Sequence, residues 1–280
     1  MPEQLRRTAN WLPFVGLNAM GLVAYLYPFF VAGTTETDAR WFEHSGDAPL
    51  VFGGLGALCM AALIGDLTNG RLNTKSLAVL GVLAAFAAVL RTVSLPAGAN
   101  LYFFLVIMGS YVFGARMGFL LGALSFFLSA VVTGGVGPWL PFQMFASAWM
   151  GASIGLLRPA AETLRLGERK QLALLALAGL AWGFLFGAIT NLWTWPFWVA
   201  GPDISYEPGL GVLETLRRYW NFYLLTSLGW DLMRAICNAA VIIGLGLPVL
   251  HALLRFRAKF SWEPWAPETP TAPELSAKPR

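Results

Sequence analysis

Charge is what this sequence has least of. Only 12% of its 280 residues are Asp, Glu, Lys or Arg, roughly half the share found in a soluble domain. The mean hydropathy is +0.61. A water-soluble globule is excluded on that balance alone. Cysteine is scarce as well, with Cys59 and Cys237 both inside apolar runs. No CxxC or Cys/His ligand spacing exists, so neither a disulfide framework nor a metal site is expected. The histidines are His44, in a polar connection, and His251, near the end of the last apolar run. GxxxxGK[ST], HExxH and GxSxG are all missing, which removes the usual phosphate loop and the common hydrolytic sites. No cofactor is expected. The formal charge of +4 is spread over the connections without aromatic interleaving, so nucleic acid is not an expected partner.

What the chain does have is oil: 57% of its residues are hydrophobic. The apolar runs are continuous rather than alternating, and in hydrocarbon a helix satisfies its own backbone. The expected class is therefore all-α, a polytopic membrane helical bundle. Eight spans are read at 12–32, 49–66, 76–95, 100–114, 115–133, 139–157, 171–196 and 219–250. The first of them is long enough to span and lacks a cleavage site, so it is read as a retained helix and not a signal peptide. The tail from 261 to 280 is rich in proline and is expected to be disordered.

Orientation follows the basic residues. Arg6, Arg7, Arg71, Lys75, Arg116, Arg158, Arg165, Arg169, Lys170, Arg255, Arg257 and Lys259, with Lys278 and Arg280 of the tail, fall on the side of the N-terminus, against Arg40, Arg91, Arg217 and Arg218 on the other. Both termini are expected in the cytoplasm of a cell-membrane protein. The outer connections are then the acidic segment 33–48, the glycine-rich 134–138 and the long 197–218.

Small residues recur four apart at Gly114, Gly118 and Gly122, at Gly151 and Gly155, and at Gly179, Gly183 and Gly187. That spacing puts them on one helix face and lets backbones approach. In "LAAFAAVL", Ala84 and Ala88 share a face and Gly81 and Ala85 a neighbouring one, which either packs inwards or meets another membrane protein. Polar groups at membrane depth mark candidate sites. Asp231, Arg234 and Asn238 form one stripe, read either as a structural ion pair or as a pocket floor. Asn191 stands beside the tryptophans of "NLWTWPFW", and Trp139 and Gln143 lie in "GGVGPWLPFQ". Aromatic walls with a few amides suit a small organic ligand, while an interfacial belt is the plainer reading of the tryptophans.

From about residue 76 onward, "LAVLGVLAAFAAVL", "NLYFFLVIMGSYVFGARMGFLLGALSFFLSAVVTGGVGPWLPFQMFASAWMGASIGLL" and "WDLMRAICNAAVIIGLGLPVL" resemble a substrate-binding S component of the energy-coupling factor (ECF) transporters. "FGARMGFLLGA" and "GPWLPFQM" carry most of the likeness. The resemblance implies a six-helix core at 76–260 that binds a vitamin or vitamin precursor from outside, with cobalamin the best guess. It implies partners too, a membrane coupling subunit and two ATPase subunits, and no catalysis of its own. Ala84 and Ala88 match the AxxxA face that meets the coupling subunit. Under the resemblance the ligand wall is Trp139, Gln143, Asn191, Trp195, Arg234 and Asn238, with Arg91 and Asn100 at the rim. Residues 1–75 form a two-helix hairpin that the family pattern lacks, and it either covers the docking face or packs away from it. The competing classes are a non-transport membrane scaffold or assembly factor and a membrane enzyme using Asp231 as acid or base.

Overall fold

The computed structural model describes residues 12–31, 48–68, 74–95, 98–198 and 201–259. The expected tail, the N-terminal Arg6 and Arg7, and His44 with most of its acidic connection lie outside those residues. The helices are α1 (Leu12–Leu26), α2 (Pro28–Val31), α3 (Ala48–Thr68), α4 (Thr74–Thr92), α5 (Tyr102–Phe113), α6 (Ala115–Thr133), α7 (Leu140–Thr163), α8 (Glu168–Asn191), α9 (Val212–Thr226) and α10 (Leu228–Ala258), with a 3-10 turn at Trp195–Phe197. Six of them, α3, α4, α6, α7, α8 and α10, are long and apolar enough to cross a membrane, and Phe14–Phe30 and Tyr102–Phe113 are shorter apolar helices. The protein is a polytopic helical membrane bundle.

α5 is the centre of it. Every residue from Tyr102 to Val112 is buried, and the helix is enclosed by α4, α6, α7, α8 and α10. Its twelve residues rise only about 18 Å, well short of the roughly 30 Å of a hydrocarbon core. A helix that never meets lipid has no need to span it. The chain then reverses through one residue, Gly114, whose φ of +91° is a backbone state that side chains disfavour.

The glycine spacing produces two backbone-to-backbone crossings. Along α6 and α7, Gly118 faces Gly151 and Gly122 faces the Ser147 carbonyl. Along α8 and α10, Gly183 faces the Ala235 backbone and Gly187 faces the Asp231 carboxylate. A methyl group at any of these positions would overlap its neighbour, so the small-residue faces are spent on internal packing.

The leading hairpin packs against α6 and α7. The Tyr25 hydroxyl donates to the Phe142 carbonyl at 2.6 Å, and Trp149 Nε1 donates to Asn18 Oδ1 at 3.0 Å. Phe14 meets Phe119 edge-on, and Phe52 lies beside Phe127. Asp66 closes the far end on Arg116 at 2.5 Å. An apolar groove of about 250 Å³ remains between α3, α6 and Leu80 of α4. The outward face of α4 is left uncovered: Ala78, Gly81, Val82, Ala85, Phe86 and Val89 are exposed.

Three expectations need correcting. The last span does not begin at 219, because α9 ends at Thr226 and α10 starts at Leu228; Ser227 breaks the run, and α9, with Glu214, Arg217 and Arg218, is too polar for hydrocarbon. The first helix stops at Leu26, before Pro28. Ala84 and Ala88 are 0% and 2% exposed, so they face into the bundle and present nothing to a partner helix in this conformation.

Candidate functional site

The end of the bundle that carries Gly134 gathers most of the expected site residues. Three connections meet there. The α4–α5 loop is closed by a bridge between Ser94 and Asn100, and Leu95 N–H donates to the Ala99 carbonyl at 2.7 Å. Asn100 Oδ1 accepts from Tyr102 N–H at 3.1 Å, an Asx turn that leads into α5. The side-chain oxygen of Asn100 therefore supports the entry to α5 and does not serve as a rim acceptor.

The glycine-rich loop turns at Gly134, whose φ is +66°. Gly135 N–H returns to the Ala130 carbonyl at 2.8 Å, closing the end of α6. Trp139 folds back over its own loop, donating Nε1–H to the Gly135 carbonyl at 3.2 Å. Gly137 lies under the indole, where a Cβ would collide with it. Half-buried Gln143 makes no side-chain hydrogen bond with the described residues, leaving its amide open one turn inside Trp139.

Trp195 is not a pocket wall. It is 1% exposed, donates Nε1–H to the Ile204 carbonyl at 2.8 Å, and stands among Phe29, Tyr206, Tyr219 and Phe222. These rings form the core of a cap made by residues 201–226. Its rim is ionic: Arg217 pairs with Asp203 and Glu214, and Arg218 with Glu214 and Glu207. The hydrogen bond that Arg218 donates to the Glu214 carboxylate raises the Arg218 pKa above its ordinary value. The Tyr219 hydroxyl donates to the Ala188 carbonyl, and Asn191 Nδ2 donates to Ser227 Oγ at 2.6 Å, so the cap is bolted to the end of α8.

The stripe on α10 is largely satisfied from within. Arg234 donates to Asp231 at 2.5 Å and to the Gly183 carbonyl at 3.1 Å. Tyr223 donates to the other oxygen of Asp231 at 2.9 Å, and Asn238 donates to the Gly179 carbonyl at 3.1 Å. The glycines of α8 thus expose carbonyls that the polar side chains of α10 take up.

A ring cluster that the sequence did not announce joins these parts. Phe126 of α6 stacks on Phe186 of α8 at 5.7 Å, and Phe103 of α5 meets Phe186 edge-on at 5.0 Å. Tyr102 packs against both Phe103 and Phe126, with its hydroxyl bonded to Ser125, Ser147 and the Gly122 carbonyl. Arginines flank the cluster. The Arg91 guanidinium lies 4.1 Å from the Phe126 centroid, and that of Arg234 lies 5.3 Å from Phe186 and 5.4 Å from Phe103. The phenylalanines of "FFLSA" and "GFLFGA" read as ordinary span residues, and only their meeting in three dimensions distinguishes them. Aromatic faces beside guanidinium groups bind and orient flat or charged organic molecules.

No curated protein and no solved structure matches the chain significantly. The profile of the family described as ECF transporter, substrate-specific component, matches residues 75–246. That stretch is more than half of the chain and runs from α4 into α10, through every residue of the ring cluster. The chain belongs to the family of substrate-specific components of ECF transporters.

Proposed function

We propose that the protein captures a small organic micronutrient at the Gly134 end of the bundle and hands it across the membrane with a coupling subunit and two ATPase subunits. The observation that carries this reading is the family match over a core whose Gly134 end sets a ring cluster between two arginines. Arg91, Gln143 and Arg234 are the proposed ligand contacts. Trp139, Asn100, Asn191, Trp195 and Asn238 hold the surrounding loops and helices in place. Phe103, Phe126 and Phe186 are packed ring on ring, so a compact ligand suits the site better than a corrinoid, which would have to part them.

Arg116, Arg158, Arg257 and Glu168 with His251 gather at the opposite end. The excess of Lys and Arg on that side supports a cytoplasmic location for it and an outward-facing ligand end in the cell membrane. For docking, the uncovered stripe Ala78, Gly81 and Ala85 on α4 replaces Ala84 and Ala88, because it faces out and the hairpin leaves it clear. The chain supplies no chemistry in this reading.

Affinity purification of the full chain from cells expressing the ECF coupling subunit and ATPases tests it. Co-purification of that assembly, with uptake into proteoliposomes that requires ATP, is the expected result. A stable complex with a different membrane enzyme and no uptake would favour the scaffold instead.

A further inference from the structure

The cationic side chains at the Gly134 end fall into two groups. Arg217, Arg218 and Arg234 each meet a carboxylate. Arg91 meets none among the described residues: its only polar contact is a hydrogen bond from Nη1 to Ser129 Oγ at 3.0 Å. This guanidinium is directed inwards, over a ring that is 3% exposed and on to a hydroxyl that is fully buried. A snorkelling arginine at a helix end does the opposite, sending its head out to the interface. Arg91 is half-buried, and drawing a cation even partly out of water without a counter-ion is unfavourable, a cost that contact with one phenyl face offsets only in part. A guanidinium held in this state is a ready counter-ion for an anion that arrives from outside.

On the reading that this end binds cargo, we propose that the cargo is a compact organic monoanion bearing a carboxylate, and that Arg91 is its counter-ion. One uncompensated guanidinium with one neighbouring hydroxyl balances one negative charge. A phosphate dianion would need more donors than Ser129 adds. The planar fork of Arg91 matches a carboxylate in two parallel hydrogen bonds, and the apolar surroundings of the guanidinium, with Phe126 beside it, suit a hydrocarbon body attached to it. Ser129 is a positioning residue, since it fixes Nη1 and leaves the remaining nitrogens for the ligand. Arg234 does not share the task, because Asp231 already neutralises it.

Benzoate and benzamide test the proposal, being flat rings of nearly equal size that differ in charge. Thermal unfolding of the full chain in detergent is followed while each probe is titrated. Benzoate is expected to raise the midpoint at concentrations about tenfold or more below those benzamide needs, the difference one charge-assisted hydrogen bond makes. Arg91→Gln should abolish that preference, and Arg91→Lys should keep part of it, because the charge stays while the fork is lost. The comparison of the two probes on the unaltered protein stands even if a variant fails to fold. Equal effects of the probes, no effect of benzoate, or a benzoate effect that survives Arg91→Gln overturns the proposal. A further arm uses nanodiscs of phosphatidylcholine with and without phosphatidylglycerol: stabilisation by the anionic lipid that Arg91→Gln removes and benzoate does not displace assigns Arg91 to lipid and also overturns it. Assembly with the coupling subunit and ATPases is scored on the same preparations. An intact assembly with no preference for benzoate sinks the anion alone, whereas a missing assembly sinks the transport reading.

Discussion

Asp231 and Arg234 stand one turn apart on α10 and meet at 2.5 Å, with the carboxylate side chain 2% exposed and the guanidinium 22% exposed. The pair is closed by Tyr223 on one side and the Gly183 carbonyl on the other. It is a clasp between α8, α9 and α10, and its stripe partner Asn238 continues it along α8.

Asp231→Asn should therefore lower stability, by about 3 kcal/mol at most, because it leaves a half-buried cation without its counter-ion. Thermal unfolding in detergent measures this. The double variant Asp231→Asn with Arg234→Gln should regain part of the loss. If transport persists in Asp231→Asn once it is folded, the carboxylate is no acid or base and the enzyme reading falls with it.

Gly122 and Gly81 separate internal packing from outward display. Gly122→Leu forces a side chain into the Ser147 carbonyl and should cost about 3 kcal/mol or prevent folding. Gly81 has nothing within 4 Å of an added Cβ, so Gly81→Leu should leave the unfolding midpoint within the scatter of surface changes, about 0.5 kcal/mol. Equal destabilisation by both would mean that α4 is rotated relative to the structure.

Bulk on the two faces of α4 gives a second contrast. Ala85→Trp should leave ligand binding and stability intact while abolishing uptake, since the exposed stripe is the proposed docking face. Ala84→Trp should instead destabilise the fold, because that methyl is 0% exposed. Uptake that survives Ala85→Trp with binding unchanged removes the docking assignment.

Tyr25→Phe tests how tightly the leading hairpin is held. Loss of its bond to the Phe142 carbonyl should cost about 1 kcal/mol and raise proteolysis of the hairpin before that of the core. An unchanged cleavage order would show that the ring contacts of Tyr25 with Phe142 and Trp149 suffice to hold it.

The spans and the close crossings were legible in the sequence because they depend on local pattern: continuous apolar runs and glycines four apart. The phase of α4 was not, since alanines lie on two of its faces and only the neighbouring α5 and α6 decide which turns inwards. α9 was hidden because its apolar residues lead into α10 without a proline or glycine at Ser227. Trp195 misled for a related reason. A tryptophan at a span end reads as an interfacial or pocket ring until the cap that buries it, residues 201–226, is folded over it. Arg91 was singled out as a rim residue, yet its pairing with Phe126 joins separate helices and leaves no trace in spacing.

The far end of α5 is held from two sides. Arg158 of α7 and Arg257 of α10 both donate to the carbonyl of Val112, at 3.0 and 2.9 Å, neutralising the negative end of the helix. Both of those longer helices are thereby tied to the central post. At its other tip the post carries Phe103, 5.4 Å from the Arg234 guanidinium, so one buried helix joins the arginine-rich end to the packed rings.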